Sequence, residues 1–397
     1  MFRIYIPKQN DPQPTEEASE TPSPTEAAPS ETPSAAPYEP DDTLKILAVG
    51  NSFSEDALTY LYNIAKSGGV EKIVLGNVFI GGGTLRQHWE NNENGVKCTY
   101  QKRNNKSTID TYSRTLESCI KDEDWDIITL QQGSGSSGMP DTYEPYLTNL
   151  LDLIEKNATN PNVKLGWHMT WAYQQNTTHN EFVNYNKDQM TMYNAIVGTV
   201  RQNVIPVEKF DFIIPSGTAV QNMRTSYVGD TLTRDTYHMS YVTGRYITGL
   251  MWYRIISGQS VDDIAYIPSP NRTDKLTAAS IRAAKEAVNN AAATPFEVTP
   301  SSYTDEFPYI AAAPVVSDGN ASAVFTKIKD TEGSVTMVVA VYDENGVMQG
   351  VKVSGENPEI NSDTVITLNG DFSEGYTAKA FVFDNLKTIK PLCGKNI

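Results

Sequence analysis

Between residues 44 and 300 the chain alternates short apolar runs with longer stretches of helical periodicity, and this alternation most constrains its fold. Residues 45–49 (KILAV) form a continuous apolar run ending at Gly50, as in a strand buried on both faces of a parallel sheet. The pattern predicts a parallel sheet covered by helices on both faces, with ligands bound at the carboxyl ends of the strands. Further strands are predicted at 73–75, 127–130, 163–167 and 212–214, and helices at 108–120, 143–155, 184–202, 241–257 and 275–293.

From about Pro300 the helical stretches stop and only strand-like runs remain. The sequence Asp-Glu-Asn-Gly at 343–346 joins two of these runs, and Asn-Gly accepts positive φ at low cost, which predicts a hairpin. The prediction is a three-layer α/β/α domain over residues 44–298, followed by a small all-β sandwich of immunoglobulin-like type over 299–397.

Residues 1–43 are predicted to be a disordered linker rich in Pro, Thr, Glu and Ser. Residues 11–43 hold eight of the 22 prolines and nine acids but no base, with almost no large apolar side chains to bury. Such linkers often separate an anchor from an exported domain, so we expect a secreted or cell-surface protein with a lipid or cell-wall anchor upstream. The alternative is a cytoplasmic protein with a disordered N-terminus. The apolar stretch at residues 1–6 is too short to be the core of an export signal.

The charge and cysteine content exclude several classes of function. With 32 Lys and Arg against 48 Asp and Glu, the net charge of −16 argues against nucleic acid as a partner. No apolar run is long enough to span a bilayer. Three cysteines without a CxxC pair and only four histidines predict neither a metal site nor a cofactor. Cys98 and Cys119 could pair or remain free thiols.

Ser52 follows the first predicted strand directly, in the sequence Gly-Asn-Ser-Phe-Ser at 50–54. A serine between a buried strand and a helix start lies where free backbone N–H groups favour negative charge, which suits a nucleophile. Taken alone, the motif is better explained by an N-cap at Ser52 or Ser54, with Gly50 making the turn.

Asp235 and His238, in the sequence Asp-Thr-Tyr-His, precede the helix predicted at 241–257. An acid three residues before a histidine can hold one imidazole N–H, which leaves the other ring nitrogen free to accept a proton from serine. Two further loops, Gly-Gly-Gly-Thr at 81–84 and Gln-Gln-Gly-Ser at 131–134, follow strands and could supply hydrogen-bond donors at the same sheet edge.

Together these four segments (GNSFS, GGGTLRQHW, ITLQQGS and DTYHMS) resemble the four blocks of the SGNH (GDSL-like) hydrolase superfamily, in particular an uncharacterised secreted bacterial branch. The resemblance covers roughly residues 44–260 and implies a flavodoxin-like fold. It implies Ser52 as nucleophile, His238 as base and Asp235 as the residue that orients it. The implied oxyanion donors are Ser52, Gly82 and a glutamine, Gln132 with Gln131 as rival, because the usual third-block asparagine is absent.

The predicted function is a serine esterase that removes acyl groups, most plausibly acetyl, from an extracellular polysaccharide through an acyl-serine intermediate. A lipid or short-chain ester hydrolase and a non-catalytic glycan-binding surface protein remain alternatives, because fold does not fix function. His88 and Trp171 are predicted to contact substrate, although both residue types are also common in packed cores.

Overall fold

The computed structural model describes residues 43–373 and 375–394, so the predicted linker lies outside the described residues apart from Thr43. A mixed α/β region is built on one seven-stranded sheet. In chain order its strands are β1 (Thr43–Gly50), β2 (Lys72–Phe79), β3 (Cys98–Asn104), β4 (Asp110–Arg114), β5 (Ile127–Leu130), β6 (Lys164–His168) and β7 (Phe212–Ile214).

The spatial order of the sheet is β4-β3-β2-β1-β5-β6-β7. Strands β2, β1, β5, β6 and β7 run parallel, whereas β3 and β4 add an antiparallel hairpin at one edge. The chain goes from β1 outward to β2 and then returns across β1 to β5, so the direction of winding reverses beside β1. In sheets of this kind the crevice for a ligand opens at the strand ends where winding reverses.

Nine α-helices of the described chain surround this sheet. They are α1 (Ser52–Leu58), α2 (Leu61–Ser67), α3 (Leu85–Glu93), α4 (Leu116–Ile120), α5 (Tyr146–Asn157), α6 (Gln189–Thr199), α7 (Ser216–Arg224), α8 (Thr243–Ser257) and α9 (Ala278–Ala293). Helix α8 packs against α1, α2, α7 and α9, while α5 packs against α3 and α4. Among the described residues no helix has both the length and the apolar character needed to cross a membrane.

Two predicted helices differ from the structure. The segment 108–120 begins as strand β4, because its exposed Thr111, Tyr112 and Ser113 pair with β3; only Leu116–Ile120 is helical. The long helix predicted over 184–202 starts later, at Gln189. Asn186 and Lys187 adopt positive φ and end the preceding 3₁₀ turn, and Asp188 then caps α6 by accepting from Thr191 N–H.

The rest of the described chain is all-β. It forms β8 (Tyr309–Ala311), β9 (Val315–Ser317), β10 (Asn320–Lys327), β11 (Val335–Tyr342), β12 (Met348–Glu356), β13 (Ser362–Leu368) and β14 (Thr377–Phe383). One antiparallel sheet contains β13, β10, β8 and β9, and another contains β12, β11 and β14. Phe325, Met337, Val339 and Val382 belong to an apolar core separate from that of the α/β region.

The all-β region supplies hydrogen-bond acceptors to the start of α9. Asp363 Oδ2 accepts from Ala278 N–H at 2.8 Å, and Thr326 Oγ1 accepts from Ala279 N–H at 3.3 Å. These N–H groups lie in the first turn of the helix, where no intrahelical acceptor is available. Nearby, Tyr303 packs in the core of the α/β region. The division placed at residue 298/299 stays a prediction, since the two regions share these contacts.

Candidate active site

Ser52 is the first residue of α1 and follows β1, next to the point where the sheet reverses its winding. The residue before it, Asn51, is the helix cap: its Oδ1 accepts from Phe53 N–H at 2.8 Å, and its Nδ2 donates to the Gly83 carbonyl at 3.0 Å. The N-cap that Ser52 or Ser54 could have provided is therefore supplied by Asn51, and the Ser52 hydroxyl is left to face the cleft.

The structure brings Ser52, His238 and Asp235 together in one hydrogen-bonded chain. Ser52 Oγ lies 2.7 Å from His238 Nε2, and His238 Nδ1 lies 2.7 Å from Asp235 Oδ2. Because a carboxylate only accepts, Nδ1 carries the proton in neutral His238, and Nε2 accepts from the serine hydroxyl. Ser52 and His238 are 186 residues apart in sequence, so this contact is a property of the fold.

Asp235 is held by its own loop as well as by the histidine. Its Oδ1 accepts from the backbone N–H of His238 at 2.8 Å. Partial burial would raise the pKa of Asp235, but the hydrogen bonds from the His238 ring and backbone outweigh burial and lower that pKa. Asp235 is therefore charged at neutral pH. Between the two residues, Thr236 adopts a φ of 76°, which is rare for a β-branched side chain and typical of functional sites.

Asp56, on the buried face of α1, anchors the loop that carries Asp235 and His238. Its side chain is fully buried and contacts the guanidinium groups of Arg234 at 2.9 Å and Arg245 at 2.8 Å. It also accepts from Met239 N–H at 2.9 Å. The sequence interpretation missed Asp56; the signal was an acid placed beside Ala57 and Leu58 on the buried face of a short helix.

A cleft of about 170 Å³ opens over the Ser52–His238 pair. Gly82 lines it with a φ of 64°, a conformation that favours glycine, and a side chain there would meet no atom within 4 Å. The other walls carry mostly polar groups. Thr84, Ser134 and Tyr237 belong to segments that the sequence interpretation singled out, whereas Ser136, His179 and Glu181 do not.

Gln131 and Gln132 lie beneath the cleft. The side chain of Gln132 is buried, and its Nε2 donates to both the carbonyl and the hydroxyl of Thr142 at 3.1 Å. Its Oε1 accepts from Leu85 N–H and Gly133 N–H. The structure therefore does not present Gln132 as a donor toward Ser52, because both of its amide hydrogens point to Thr142.

Gln131 belongs to a buried network behind Ser52. Its Nε2 donates to Asn51 Oδ1 at 2.9 Å, and its Oε1 lies 2.9 Å from His168 Nδ1. His168 Nε2 in turn lies 3.0 Å from Ser216 Oγ. Complete burial lowers the pKa of His168 to about 3, so this ring is neutral. The network fixes the amide of Asn51, and thereby the turn that carries Ser52.

His88 and Trp171 do not line the cleft, contrary to the prediction that they contact substrate. The His88 ring is buried, with Nε2 donating to the Gly50 carbonyl at 2.9 Å, and its Nδ1 has no partner among the described residues. Burial lowers the pKa of His88 to about 4. Trp171 is fully buried, stacks on Phe53 at 4.1 Å and donates from Nε1 to the Tyr237 carbonyl. Both side chains are core groups that support the site.

The cysteines take no part in the site. Cys98, Cys119 and Cys393 are buried free thiols, and burial raises the pKa of Cys119 to about 12. Within residues 43–373 and 375–394, no cluster of three His, Cys, Asp or Glu is arranged to hold a metal ion.

The fold and site define an α/β protein with a Ser–His–Asp chain at the carboxyl edge of a mostly parallel sheet. Residues 45–291 match the family described as "Domain of unknown function (DUF4886)", and the chain belongs to that family. A crystal structure of a DUF4886 family protein from Bacteroides uniformis is 38% identical, with a TM-score of 0.61, and the match covers 65% of this chain and 98% of that one. No curated protein matches the sequence.

Two more distant structures share less with this chain. A gut microbial diltiazem-metabolizing enzyme is 10% identical with a TM-score of 0.37, covering 80% of this chain and 71% of the other. A carbohydrate acetylesterase from Xanthomonas citri is 7% identical with a TM-score of 0.29, covering 80% and 56%.

Proposed function

We propose that this protein is a serine hydrolase that cleaves carboxylic esters. The observation that carries the proposal is the hydrogen-bonded chain Ser52 Oγ–His238 Nε2 and His238 Nδ1–Asp235 Oδ2, with both distances at 2.7 Å. In the first step Ser52 Oγ attacks the acyl carbon while its proton passes to His238 Nε2. His238 then protonates the departing alcohol oxygen, and a water molecule activated by the same nitrogen releases the acid from the acyl-serine.

The negative charge on the tetrahedral intermediate needs donors beside Ser52. We assign the backbone N–H groups of Ser52 and Gly82 to this role, since both residues line the cleft and the first turn of α1 has unsatisfied N–H groups. The glutamine side chain expected from the sequence has no place in this proposal, because the Gln132 amide is occupied by Thr142.

The favoured substrate is a short acyl group, such as acetyl, on a polysaccharide. The wall of the cleft favours a sugar over a lipid chain, because Ser134, Ser136 and Glu181 offer hydroxyl and carboxylate partners for a hydroxylated substrate. The Glu181 side chain is 45% exposed, and Gly135 makes room for it, since a Cβ there would lie 2.2 Å from its carboxylate.

We place the protein in the SGNH hydrolase superfamily on the four sequence blocks. In support, the parallel strands taken in chain order stand in the spatial order 2-1-3-4-5 of flavodoxin-like sheets. We also propose that the all-β region is an immunoglobulin-like accessory domain. On the composition of residues 11–43, we propose that the protein acts outside the cell or on its surface.

Labelling with a fluorophosphonate, which modifies activated serines, tests the proposal. We expect the wild-type protein and the Ser54→Ala variant to label and the Ser52→Ala variant not to label, since Ser54 is buried and hydrogen-bonded to Asn77. Release of acetate from acetylated xylan, compared with p-nitrophenyl acetate and a long-chain ester, then tests the substrate class. Labelling that persists in Ser52→Ala would overturn the assignment.

A further inference from the structure

A second and larger cavity lies where the all-β region meets the α/β region. It measures about 560 Å³, and Ile328 and Asn361 of the all-β region form part of its wall. On the α/β side its wall includes Thr233, Arg234, Ser240 and Tyr241. These last four residues flank Asp235 and His238 on the same loop. We call this cavity the inter-region cleft; it and the catalytic cleft share that loop as a common wall.

The inter-region cleft carries an excess of positive charge in a chain whose net charge is −16. Arg272 and Lys275 line it, and neither forms an ion pair within the described part of the chain. The carboxylate between them, Asp274, is turned to the start of α8, where it accepts from the backbone N–H groups of Val242 and Thr243. Arg234 is already paired with buried Asp56. The two unpaired cations are thus available to a ligand.

The backbone holds Arg272 at this place at an energetic cost. Asn271 and Asp274 exchange two hydrogen bonds, at 2.9 and 3.0 Å, and close a tight turn in which Arg272 has a φ of 55°. Positive φ is uncommon for residues other than glycine, asparagine and aspartate, and such conformations cluster at binding sites. A glycine would suit the turn better, so the arginine side chain is the feature that the turn presents.

An aromatic surface accompanies these charges. Tyr241 is 46% exposed as a residue, and the guanidinium groups of Arg234 and Arg245 lie 5.1 and 5.2 Å from the centroid of its ring. The Tyr241 backbone is fixed as well, because its carbonyl accepts from Tyr60 OH at 2.7 Å. An ordered ring beside hydroxyl and amide groups suits a sugar, whose carbon face can stack while its hydroxyls form hydrogen bonds.

We propose that the inter-region cleft binds an anionic carbohydrate, a sugar segment bearing carboxylate groups, with Arg272 and Lys275 as its charge partners and Tyr241 as its stacking surface. This deepens the proposed function by naming an acidic polysaccharide as the substrate class. It rests on the proposed function only in treating the bound sugar as a substrate. A segment bound here would lie against the loop of Asp235 and His238, so binding would be coupled to the catalytic cleft.

The test is a calorimetric titration of the full chain carrying Ser52→Ala, which removes turnover, with trigalacturonate and with a neutral trisaccharide. We expect the acidic trisaccharide to bind at least tenfold more tightly than the neutral one, and the preference to weaken as salt is added. Adding Arg272→Asn and Lys275→Gln should abolish the preference, and asparagine keeps positive φ accessible. The matched control is Lys352→Gln, an exposed lysine on β12 that should leave binding unchanged.

Three outcomes would overturn the proposal: equal affinity for the two trisaccharides, an equal loss in the Lys352→Gln control, or competition by inorganic phosphate alone at the affinity of the acidic sugar. Because the titration requires no catalysis, its failure is distinct from failure of the esterase assignment. An active esterase without acidic-sugar binding would refute this site alone, and binding without fluorophosphonate labelling would refute the proposed function alone.

Discussion

Ser52 and His238 meet across 2.7 Å but are held there by different kinds of structure. Ser52 comes directly off a central strand, and the turn that carries it is fixed by the buried chain Asn51–Gln131–His168. His238 lies on a partly exposed loop. The buried carboxylate of Asp56 ties this loop to α1, the helix that begins at Ser52. The comparison teaches that Ser52, the proposed nucleophile, is placed by the core of the domain, whereas His238, the proposed base, is placed by a few polar contacts.

The largest effect should come from removing either end of the Ser52–His238 contact. Ser52→Ala and His238→Ala should each lower kcat/KM on p-nitrophenyl acetate by roughly 10⁴–10⁶-fold, because nucleophile and base act as a unit. The double variant should therefore be no slower than the singles. If the two losses multiply instead, the residues act independently and the site has been misread.

Asp56→Ala should destabilise the protein by about 3–5 kcal/mol, because two arginines would be left without their buried partner. Urea unfolding measures this change. Asp152→Ala is the matched control: Asp152 pairs with Lys209 on the surface, and its loss should cost less than about 1 kcal/mol. Equal effects in the two variants would show that the His238 loop does not depend on the buried carboxylate.

Acid should lower the free energy of unfolding, because the buried histidines that support the turn of Ser52 are neutral in the folded protein. The pKa of His88 is lowered to about 4, so below pH 6.5 the unfolded chain takes up a proton that the folded chain refuses. The free energy of unfolding therefore shows no loss from His88 above pH 6.5. As pH falls from 6.5 toward 4, it declines by about 3 kcal/mol because of this residue. His88→Gln should reduce the slope of the unfolding free energy against pH between 6.5 and 4, and the remaining slope should come from His168, whose pKa is lowered to about 3. An unchanged slope in that variant would contradict the prediction.

The smallest effect is expected at Gln131. Gln131→Leu should cost about 1–3 kcal/mol, because the groups of Asn51 and His168 that it contacts would be left unpaired. As a positioning residue it should lower kcat with little change in KM, while Gln259→Leu on an exposed loop should alter neither. A variant with normal kcat would mean that the turn of Ser52 does not need the network.

The sequence predicted the parts of this molecule that local rules govern. The run at residues 45–49 identified the central strand, and Gly50 marked the turn before Ser52, because a buried parallel strand has a distinct composition. Asp235 and His238 could be chosen because a three-residue spacing lets a carboxylate reach its own histidine. In each case the deciding feature, composition for the strand and spacing for the Asp–His pair, lies within a few residues of sequence.

Features that depend on distant partners were missed. The prediction that Trp171 contacts substrate is wrong because Trp171 is buried against Phe53, a contact between distant segments that the sequence does not reveal. Gln132 was expected to donate to substrate because nothing in the sequence reveals that Thr142 takes both of its amide hydrogens. The local pattern of segment 108–120 predicts a helix, but pairing with β3 overrides that pattern in the first part of the segment. Polar side chains are the hardest to assign, since several partners compete for the same groups.

The capping of α9 by Asp363 and Thr326 has a consequence for how this protein can be cut and recombined. A border drawn between the two regions severs hydrogen bonds of a helix that packs against α7 and α8, and α8 in turn packs against α1, which begins at Ser52. Grafting another module onto residue 298, or expressing the α/β half alone, would expose two N–H groups that the native chain keeps paired. The all-β region therefore completes the cap of α9, and any module that replaces it must supply a carboxylate and a hydroxyl at the same place.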